Sequence, residues 1–414
     1  MLWTYLGAAL ILLVLARLLL GLVIRFMQVR ADARRQSMEL RQFEENLATM
    51  REKRRLLAEV PLAWSGFRKF VVRRKQIESA DVCSYTLVPH DGKGLPDFKP
   101  GQYLTFRLPN PNGTGHVIRC YSISDRAHEG QYRVTIKRVV PAPGAPAGVS
   151  STYFHDQLRE GDIVDVRAPS GQFFLDPADP DPVVLIGGGI GLTPIFSMLA
   201  TLVHQRSRRP IWFFYGVRNR RDHVFKQAMA LIARDNPHIN LRVCYSRAGA
   251  DDLHGVDYHV QGRVTVELLR QQLPSNNFRF YYCGPGPMME ALTVGLKEWG
   301  VPDGHLHFEA FGPSSVKRVS LATSELAPGA AAMVTFRKSG LTRAWDGAQG
   351  SLLDLAERAG IAITSGCRAG NCGTCVVALH AGDVTYVQPP GIPLEARTCL
   401  TCLAHPKGDV TLDA

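Results

Sequence analysis

Four cysteines near the C-terminus constrain this sequence more than any other feature. Cys367, Cys372 and Cys375 follow the spacing C-x4-C-x2-C, and a fourth cysteine, Cys402, comes later in the chain. Four thiolates at this spacing are the ligands of a [2Fe-2S] cluster. The residues between them are polar and rich in glycine, so the backbone can wrap closely around a cluster and direct its amides at the sulfurs. The pattern predicts an iron-sulfur centre with these four cysteines as metal ligands.

Two alternatives bear on this prediction. Cys399 lies three residues before Cys402 and is a second candidate for the fourth ligand. The segment 400–406, with Pro406 four residues after Cys402, resembles the end of a plant-type ferredoxin and favours Cys402. A zinc site or a disulfide framework would also use four cysteines. Zinc sites of this kind usually pair two C-x2-C knuckles, whereas four residues separate the first two cysteines here.

Composition places the chain among multidomain globular proteins. Its 414 residues leave room for two to four domains, and 45% hydrophobic with 21% charged residues is typical of a globular chain. Five further cysteines are scattered along the sequence: Cys83, Cys120, Cys244, Cys283 and Cys399. Their spacing does not indicate a secreted disulfide scaffold, so we expect reduced thiols in a cytosolic compartment.

The N-terminus departs from this pattern. Residues 2–24 are almost wholly apolar, with Arg17 as the one charge, and a helix of this length crosses a bilayer. Because the positive charges follow the apolar run, a single-pass anchor is favoured over a cleaved signal peptide. The same charges place the catalytic domains in the cytoplasm by the positive-inside rule. The net charge of +11 then needs no nucleic-acid partner, since basic residues beside the anchor meet anionic lipid.

Residues 25–62 carry apolar side chains three and four residues apart. This heptad pattern predicts a helical juxtamembrane stalk. A parallel homodimer and a single amphipathic helix lying on the lipid headgroups are both open interpretations.

Residues 63–178 have the short strands and the glycine and proline turns of an antiparallel β-barrel. Three motifs stand in order within the region: Phe98-Lys99-Pro100-Gly101-Gln102-Tyr103, Arg119-Cys120-Tyr121-Ser122 and Gly148-Val149-Ser150-Ser151. With this set the chain resembles the ferredoxin-NADP reductase superfamily, most closely the reductase half of flavohaemoglobins.

The resemblance implies a flavin site. It gives Arg119 a flavin phosphate as partner, packs Tyr121 on the isoalloxazine and puts Ser122 near the redox-active nitrogen. A helix that starts between Gly148 and Ser151 offers backbone amides to a diphosphate. This favours FAD, while FMN stays open.

Residues 179–313 alternate strands and helices, which predicts a doubly wound parallel sheet. The strand 183–186 runs into a turn and helix start that would cradle the pyrophosphate of NAD(P). The predicted cofactor contacts there are Gly187, Gly188, Gly189, Gly191, Thr193 and Pro194. By resemblance, Cys283, Gly284 and Pro285 lie beside the nicotinamide, and Glu309 and Phe311 border the flavin. The implied catalytic residues are Ser122, Cys283, Glu309 and Phe311.

The choice of nicotinamide is less constrained. Ser246 and Arg247 follow a strand where superfamily members that prefer NADPH bind its 2′-phosphate. Asp257, however, stands where such members often carry a further basic residue, so we favour NADH and leave NADPH open.

Residues 314–329 are a polar linker, and 330–414 have the hairpin, helix and ligand loop of a β-grasp ferredoxin-type domain. The three modules together predict a reductase that passes electrons from NAD(P)H through FAD and the cluster, one at a time, to a protein acceptor. The anchor favours a membrane-associated acceptor such as an oxygenase or desaturase, which is an analogy. The alternative is a membrane-tethered redox sensor with the same cofactors.

Overall fold

The computed structural model describes residues 64 and 66–414 apart from 111–115, 129, 140–147, 312–331, 348–349, 387–389 and 393, and residue 17 near the N-terminus. The predicted anchor 1–24, except Arg17, the stalk 25–62 and the linker 314–329 lie outside these residues. Within the described part of the chain, no helix combines the length and apolar character needed to cross a bilayer.

The flavin domain is an antiparallel β structure, as predicted. Its six strands are β1 (Arg68–Ser79), β2 (Val82–Pro89), β3 (Tyr103–Pro109), β4 (His116–Ser122), β5 (Tyr132–Lys137) and β6 (Ile163–Val166). They pair in the order β4-β3-β6-β1-β2-β5, and a bridge between Ile123 and Val134 joins the two outer strands into a barrel. Phe106, Phe154 and Tyr85 fill the interior with edge-on aromatic contacts. A short helix, α1 (Val149–Thr152), continues as a π-helical turn over Tyr153–Gln157.

The NAD domain is a parallel sheet with helices on both faces. Its strands are β7 (Val183–Gly188), β8 (Ile211–Val217), β9 (Ile239–Tyr245), β10 (Val260–Gln261), β11 (Arg279–Gly284) and β12 (Leu306–Ala310), and its helices are α2 (Leu192–His204), α3 (Lys226–Asp235), α4 (Val266–Gln272) and α5 (Gly286–Glu298). The strand order is β10-β9-β8-β7-β11-β12. Successive residues of β7 alternate between two buried clusters, one with α2 and α3 and one with α4 and α5. This explains the uninterrupted apolar run 183–186.

The C-terminal domain has the predicted β-grasp layout. Its strands are β13 (Ala332–Phe336), β14 (Leu341–Trp345), β15 (Val376–Ala381), β16 (Val384–Tyr386), β17 (Thr398–Leu400), β18 (Ala404–Pro406) and β19 (Val410–Leu412). Five form a mixed sheet in the order β14-β13-β19-β15-β17, and β16 pairs with β18. One helix, α6 (Leu352–Arg358), begins with a capping box between Ser351 and Asp354 and packs its leucines into the core.

Candidate active site and iron-sulfur centre

Three predicted flavin contacts, Arg119, Tyr121 and Ser122, lie on β4, which contacts the ferredoxin domain through Arg119. Ser122 is buried and pairs in register with Tyr103 of β3. The Tyr121 hydroxyl shares a 2.8 Å hydrogen bond with Ser150 Oγ, and its ring meets Phe154 edge-on. Burial raises the pKa of Tyr121 to about 12, so this hydroxyl stays protonated at neutral pH.

Arg119 and Ser151, which were predicted to contact a flavin phosphate, have hydrogen-bond partners within the protein. The Arg119 guanidinium donates to the carbonyl of Gly366, at 2.9 Å, in the cysteine-bearing loop. Ser151 Oγ accepts from the Val139 amide and donates to the Gly148 carbonyl, both at 3.1 Å, so its hydroxyl is already engaged. The roles of Arg119, Gly148 and Ser151 toward a flavin phosphate stay predictions.

The glycine turn after β7 is packed tightly against β11. A Cβ at Gly191 would lie 2.3 Å from the Cys283 carbonyl oxygen, which only glycine permits. Thr193 Oγ1 donates to the Ile190 carbonyl at 3.0 Å and holds the turn onto α2. Gly191 and Thr193 therefore shape the turn, as do the buried Gly187 and Pro194.

A cavity of about 690 Å³ opens at the carboxyl ends of these strands, between the flavin and NAD domains. Four predicted contacts line it: Gly188, Gly189, Ser246 and Pro285. Residues of the flavin domain, including Asp81 and Lys137, form part of its wall. The crevice beside the point where strand order reverses, between β7 and β11, is where parallel α/β sheets bind dinucleotides.

The charged lining of the cavity differs from the prediction. Arg218 and Arg263 line it, whereas Arg247 is not among its lining residues. Asp257 is buried in an ion pair with Lys226, so its charge is neutralised away from the cavity wall. Arg218 was missed although it follows β8 at the same sheet edge as Ser246, a position that could have signalled it.

The remaining predicted residues do not line the cavity and lie at or just after the ends of β11 and β12. Cys283 and Glu309 are register partners on these two strands, and both are buried. Burial raises the pKa of Glu309 to about 8 and that of Cys283 well above its usual range. Glu309 Oε2 has no hydrogen-bond partner among the described residues. Gly284 directly follows Cys283, and Phe311 is half-buried against the β7–α2 cluster.

The four predicted metal ligands meet as two pairs. Cys367 is hydrogen-bonded to Cys372, and Cys375 to Cys402. No three His, Cys, Asp or Glu side chains in the described regions converge as a single metal ion requires. A two-iron cluster needs no such convergence, because its four thiolates are shared between two irons.

The loop 366–375, here called the cluster loop, directs polar hydrogens at these sulfurs. Cys367 Sγ accepts from the amides of Asn371 at 3.2 Å and Cys372 at 3.3 Å, and Cys372 Sγ accepts from Thr374 Oγ1 at 3.0 Å. A Cβ at Gly370 would lie 2.0 Å from Leu403, and its φ of +78° favours glycine. Donors around paired thiols in a tight loop fit a [2Fe-2S] cluster.

Cys120 is a cluster neighbour that the sequence did not reveal. It occupies the variable position of the Arg119–Ser122 motif, and its side chain hydrogen-bonds Cys367, which raises the pKa of Cys367 to about 11. Thr105 Oγ1 lies 3.3 Å from its sulfur. The motif that marks the flavin site therefore also touches the cluster loop.

Cys399 faces away from the paired thiols. It lies opposite Val377 in the β15–β17 ladder and is fully buried in the core of the β-grasp domain. Cys402 instead belongs to the cluster of side chains that contains Cys375. The geometry favours Cys402 as the fourth ligand. Together, fold and site define a flavin- and nicotinamide-dependent oxidoreductase with an iron-sulfur domain.

Comparison with known proteins agrees with this class. The oxidoreductase FAD-binding domain family matches residues 69–175, the oxidoreductase NAD-binding domain family 185–293, and the 2Fe-2S iron-sulfur cluster binding domain family 336–407. The chain belongs to the ferredoxin-NADP reductase superfamily and carries a C-terminal [2Fe-2S] ferredoxin domain. The predicted cofactors FAD, [2Fe-2S] and NAD(P)H are thereby confirmed.

Individual relatives cover different parts of the chain. The flavohemoprotein of Bordetella pertussis is 40% identical over 254 residues, which are 61% of this chain and 62% of that protein. The flavohem-like FAD/NAD binding domain of nitric oxide dioxygenase from Vibrio cholerae is 34% identical, with a TM-score of 0.54 over 60% of this chain and 100% of that one. Phthalate dioxygenase reductase shares the fold over 84% of this chain and 98% of its own, with 24% identity and a TM-score of 0.52.

The chain thus spans less than two thirds of the length of these flavohemoproteins. What it shares with them is the reductase module of FAD- and NAD-binding domains, and together with the 2Fe-2S domain this makes it an NAD(P)H-dependent flavin oxidoreductase with an iron-sulfur domain. Its cofactor domains form the electron route from NAD(P)H through FAD to [2Fe-2S].

Proposed function

We propose that this protein is a membrane-anchored, NADH-dependent reductase that delivers electrons singly from its [2Fe-2S] centre to a protein acceptor. The observation that carries the proposal is the position of the cluster loop. Arg119 and Tyr103 of the flavin domain and Glu309 of the NAD domain all hydrogen-bond it. A loop held by both cofactor domains is placed to receive electrons from the site between them.

When bound, FAD takes a hydride from NADH and the [2Fe-2S] centre carries one electron at a time, so one NADH reduces two acceptors and releases one proton. The residues of the protein shape the site and exclude water from it. Ser122 and Cys283 are buried where the domains meet, which excludes water. The raised pKa of Glu309, about 8, keeps this carboxyl protonated at neutral pH, so it can donate a hydrogen bond.

The preference for NADH rests on the charges of the cavity. Its lining contains the acids Asp81, Asp222, Glu267 and Glu298 and the cations Lys137, Arg218 and Arg263. Arg218 is ion-paired with Asp222, which leaves it less able to recruit a phosphate. We expect kcat/KM for NADH to exceed that for NADPH by about tenfold or more. Equal values for the two nucleotides would contradict this preference.

The membrane and the acceptor are argued from sequence and analogy. Residues 2–24 have the length and apolarity of a single span, which restricts the acceptor to the same membrane or its surface. Phthalate dioxygenase reductase, described as a modular structure for electron transfer from pyridine nucleotides to [2Fe-2S], shares this fold. We therefore propose an oxygenase or desaturase as acceptor.

Two experiments test the proposal. Full-length protein should stay in the membrane fraction after alkaline carbonate washing, and recovery in the wash would contradict an integral anchor. The detergent-solubilised protein is then supplied with NADH and each candidate membrane acceptor. Faster NADH oxidation with a membrane oxygenase or desaturase supports the acceptor class. Acceleration by soluble acceptor proteins alone would refute it.

A further inference from the structure

Asn371 of the ferredoxin domain forms hydrogen bonds with both the NAD domain and the flavin domain. It lies in the cluster loop between Cys367 and Cys372, and its amide donates to Cys367 Sγ at 3.2 Å. Its side-chain Nδ2 donates to Glu309 Oε1 of the NAD domain at 3.2 Å. Its carbonyl accepts a 2.5 Å hydrogen bond from the Tyr103 hydroxyl of the flavin domain. One residue thus joins a cluster ligand to both cofactor domains.

The burial of its partners makes these bonds costly to lose. Tyr103 and Glu309 are 2% and 6% exposed, so neither can turn to solvent. Glu309 Oε2 already lacks a partner among the described residues, and removal of the Asn371 amide would leave Oε1 without this donor as well. A buried polar atom that loses its partner bears its full desolvation penalty.

The surroundings also select the asparagine side chain. A Cβ at Gly391 would lie 2.5 Å from Asn371 Oδ1, so the neighbouring backbone closes over the amide. The Tyr103 hydroxyl also lies 3.2 Å from the Gly391 carbonyl, which ties the same segment to the flavin domain. An aspartate at 371 would fit the space but would offer Glu309 no amide donor.

We infer that Asn371 is a positioning residue that fixes the cluster loop against the flavin and NAD domains for electron transfer. The inference rests on the proposed function, because it concerns the step from flavin to cluster. We expect hydride transfer to the flavin not to use Asn371, because Asn371 is not among the residues that line the cavity.

The test compares Asn371→Ala and Asn371→Asp with the wild-type holoenzyme in anaerobic stopped-flow experiments. Flavin bleaching by NADH should stay within about twofold of wild type, while the later reduction of the cluster should slow about tenfold or more, since small displacements strongly affect such steps. Asn371→Asp should also slow cluster reduction, because a carboxylate has no N–H group to donate to Glu309 Oε1. Hydrogen exchange should increase in the peptide covering 306–311.

Two further variants keep the result interpretable. Tyr103→Phe removes the hydroxyl donor from the flavin side without altering the cluster loop, and should slow cluster reduction about threefold. Glu357→Gln is the matched control, because Glu357 pairs with Arg368 of the same loop entirely within the ferredoxin domain. It should leave cluster reduction and exchange at 306–311 unchanged.

The outcomes are distinct. Wild-type rates and exchange in Asn371→Ala, Asn371→Asp and Tyr103→Phe would overturn the inference, and so would equal slowing in Glu357→Gln. If Asn371→Ala did not assemble a cluster, Tyr103→Phe would decide: slowing supports the inference and a wild-type rate overturns it. If NADH failed to reduce the wild-type cluster, the proposed function would fail, and hydrogen exchange alone would decide the positioning role.

Discussion

The assignment of Cys402 as the fourth cluster ligand rests on where two nearby cysteines lie. Cys402 pairs with Cys375, whereas Cys399 is fully buried in the β-grasp core. We expect Cys402→Ser to abolish the visible absorption of the cluster and about half or more of the bound iron, because one iron loses a thiolate. Cys399→Ser should keep the spectrum and lose only some stability. Iron analysis and absorption spectra of both variants check this, and the opposite pattern would reassign the ligand.

A buried histidine in the NAD domain predicts a pH dependence of stability. Burial, reinforced by nearby Lys226, lowers the pKa of His223 from 6.5 to about 4, against the opposing charge of Asp257. Between these pH values the imidazole of His223 is protonated in the unfolded state and neutral in the folded state. The free energy of unfolding is therefore highest above pH 6.5 and decreases as the pH falls toward 4. From pH 7 to pH 5 the loss is about 2 kcal/mol.

The variant His223→Gln isolates this contribution. It retains an amide for the Tyr245 hydroxyl, which lies 2.8 Å from His223 Nδ1, and cannot titrate. Urea unfolding of both proteins at pH 7 and pH 5 should show the wild type losing about 2 kcal/mol more than the variant. Equal losses would mean that His223 is not held neutral.

The cofactor sites could be predicted from sequence motifs, but the contacts that individual residues make with other domains could not. The cysteine spacing and the Arg119–Ser122 motif indicate cofactors because such motifs are rare outside cofactor-binding sites. The contacts of Asn371 and Cys120 with other domains join residues far apart in the chain, which periodicity and spacing do not encode. Asp257 shows the same limit, since its ion pair with Lys226 removes the charge on which the nucleotide argument relied.

At the scale of elements, the turn after β7 is held by backbone rather than by side chains. Gly191→Ala places a Cβ 2.3 Å from the Cys283 carbonyl, and a strand carbonyl in a parallel sheet cannot move aside. We expect a loss of about 2–4 kcal/mol in stability and a higher KM for NADH. Gly189→Ala is the matched control: its φ of +54° costs about 1 kcal/mol, but its Cβ would meet nothing within 4 Å.

Thermal unfolding and NADH kinetics of the two glycine variants distinguish these effects. Gly191→Ala should unfold at a lower temperature than Gly189→Ala, and its KM for NADH should exceed that of the wild type. If the two variants behaved alike, tight packing between the turn and β11 would not be what requires Gly191.

Elements with strong apolar periodicity are easier to locate in the sequence than elements that begin with apparent breakers. Apolar spacing and a Thr265 cap mark helix α4 in the sequence, and strand β14 belongs to the predicted hairpin. Helix α5 opens with Gly286 and Pro287, which resembles a break in the sequence, although proline is tolerated in a first helical turn. Strand β12, by contrast, alternates apolar and polar side chains from Leu306 to Ala310, a pattern that indicates a strand.

At the scale of the molecule, the sequence gives the order of the domains but not their packing. Residues 63–414 form one compact unit, and side chains of the NAD and ferredoxin domains share a buried cluster that includes Phe280, Leu403 and Cys402. Such packing depends on the complementarity of surfaces that each domain would expose alone, and no local pattern records it. From this packing we expect electron transfer to need no swinging motion of the ferredoxin domain.

This packing predicts how the rate of cluster reduction depends on salt concentration and on solvent viscosity. The cluster loop is held against the flavin domain by hydrogen bonds such as Arg167 Nη1 to the Cys372 carbonyl at 3.2 Å, together with apolar burial, whereas its exposed ion pair between Arg368 and Glu357 lies within the ferredoxin domain. In anaerobic stopped-flow measurements, NADH-driven reduction of the cluster should be first order and independent of protein concentration. It should change less than about twofold in 0.5 M salt, because screening acts mainly on exposed charges. Glycerol should leave it equally unchanged, because no domain has to diffuse before the electron moves. A rate that falls in proportion to viscosity would show that the ferredoxin domain must move first, and the packed arrangement would then be a resting state rather than the transferring one.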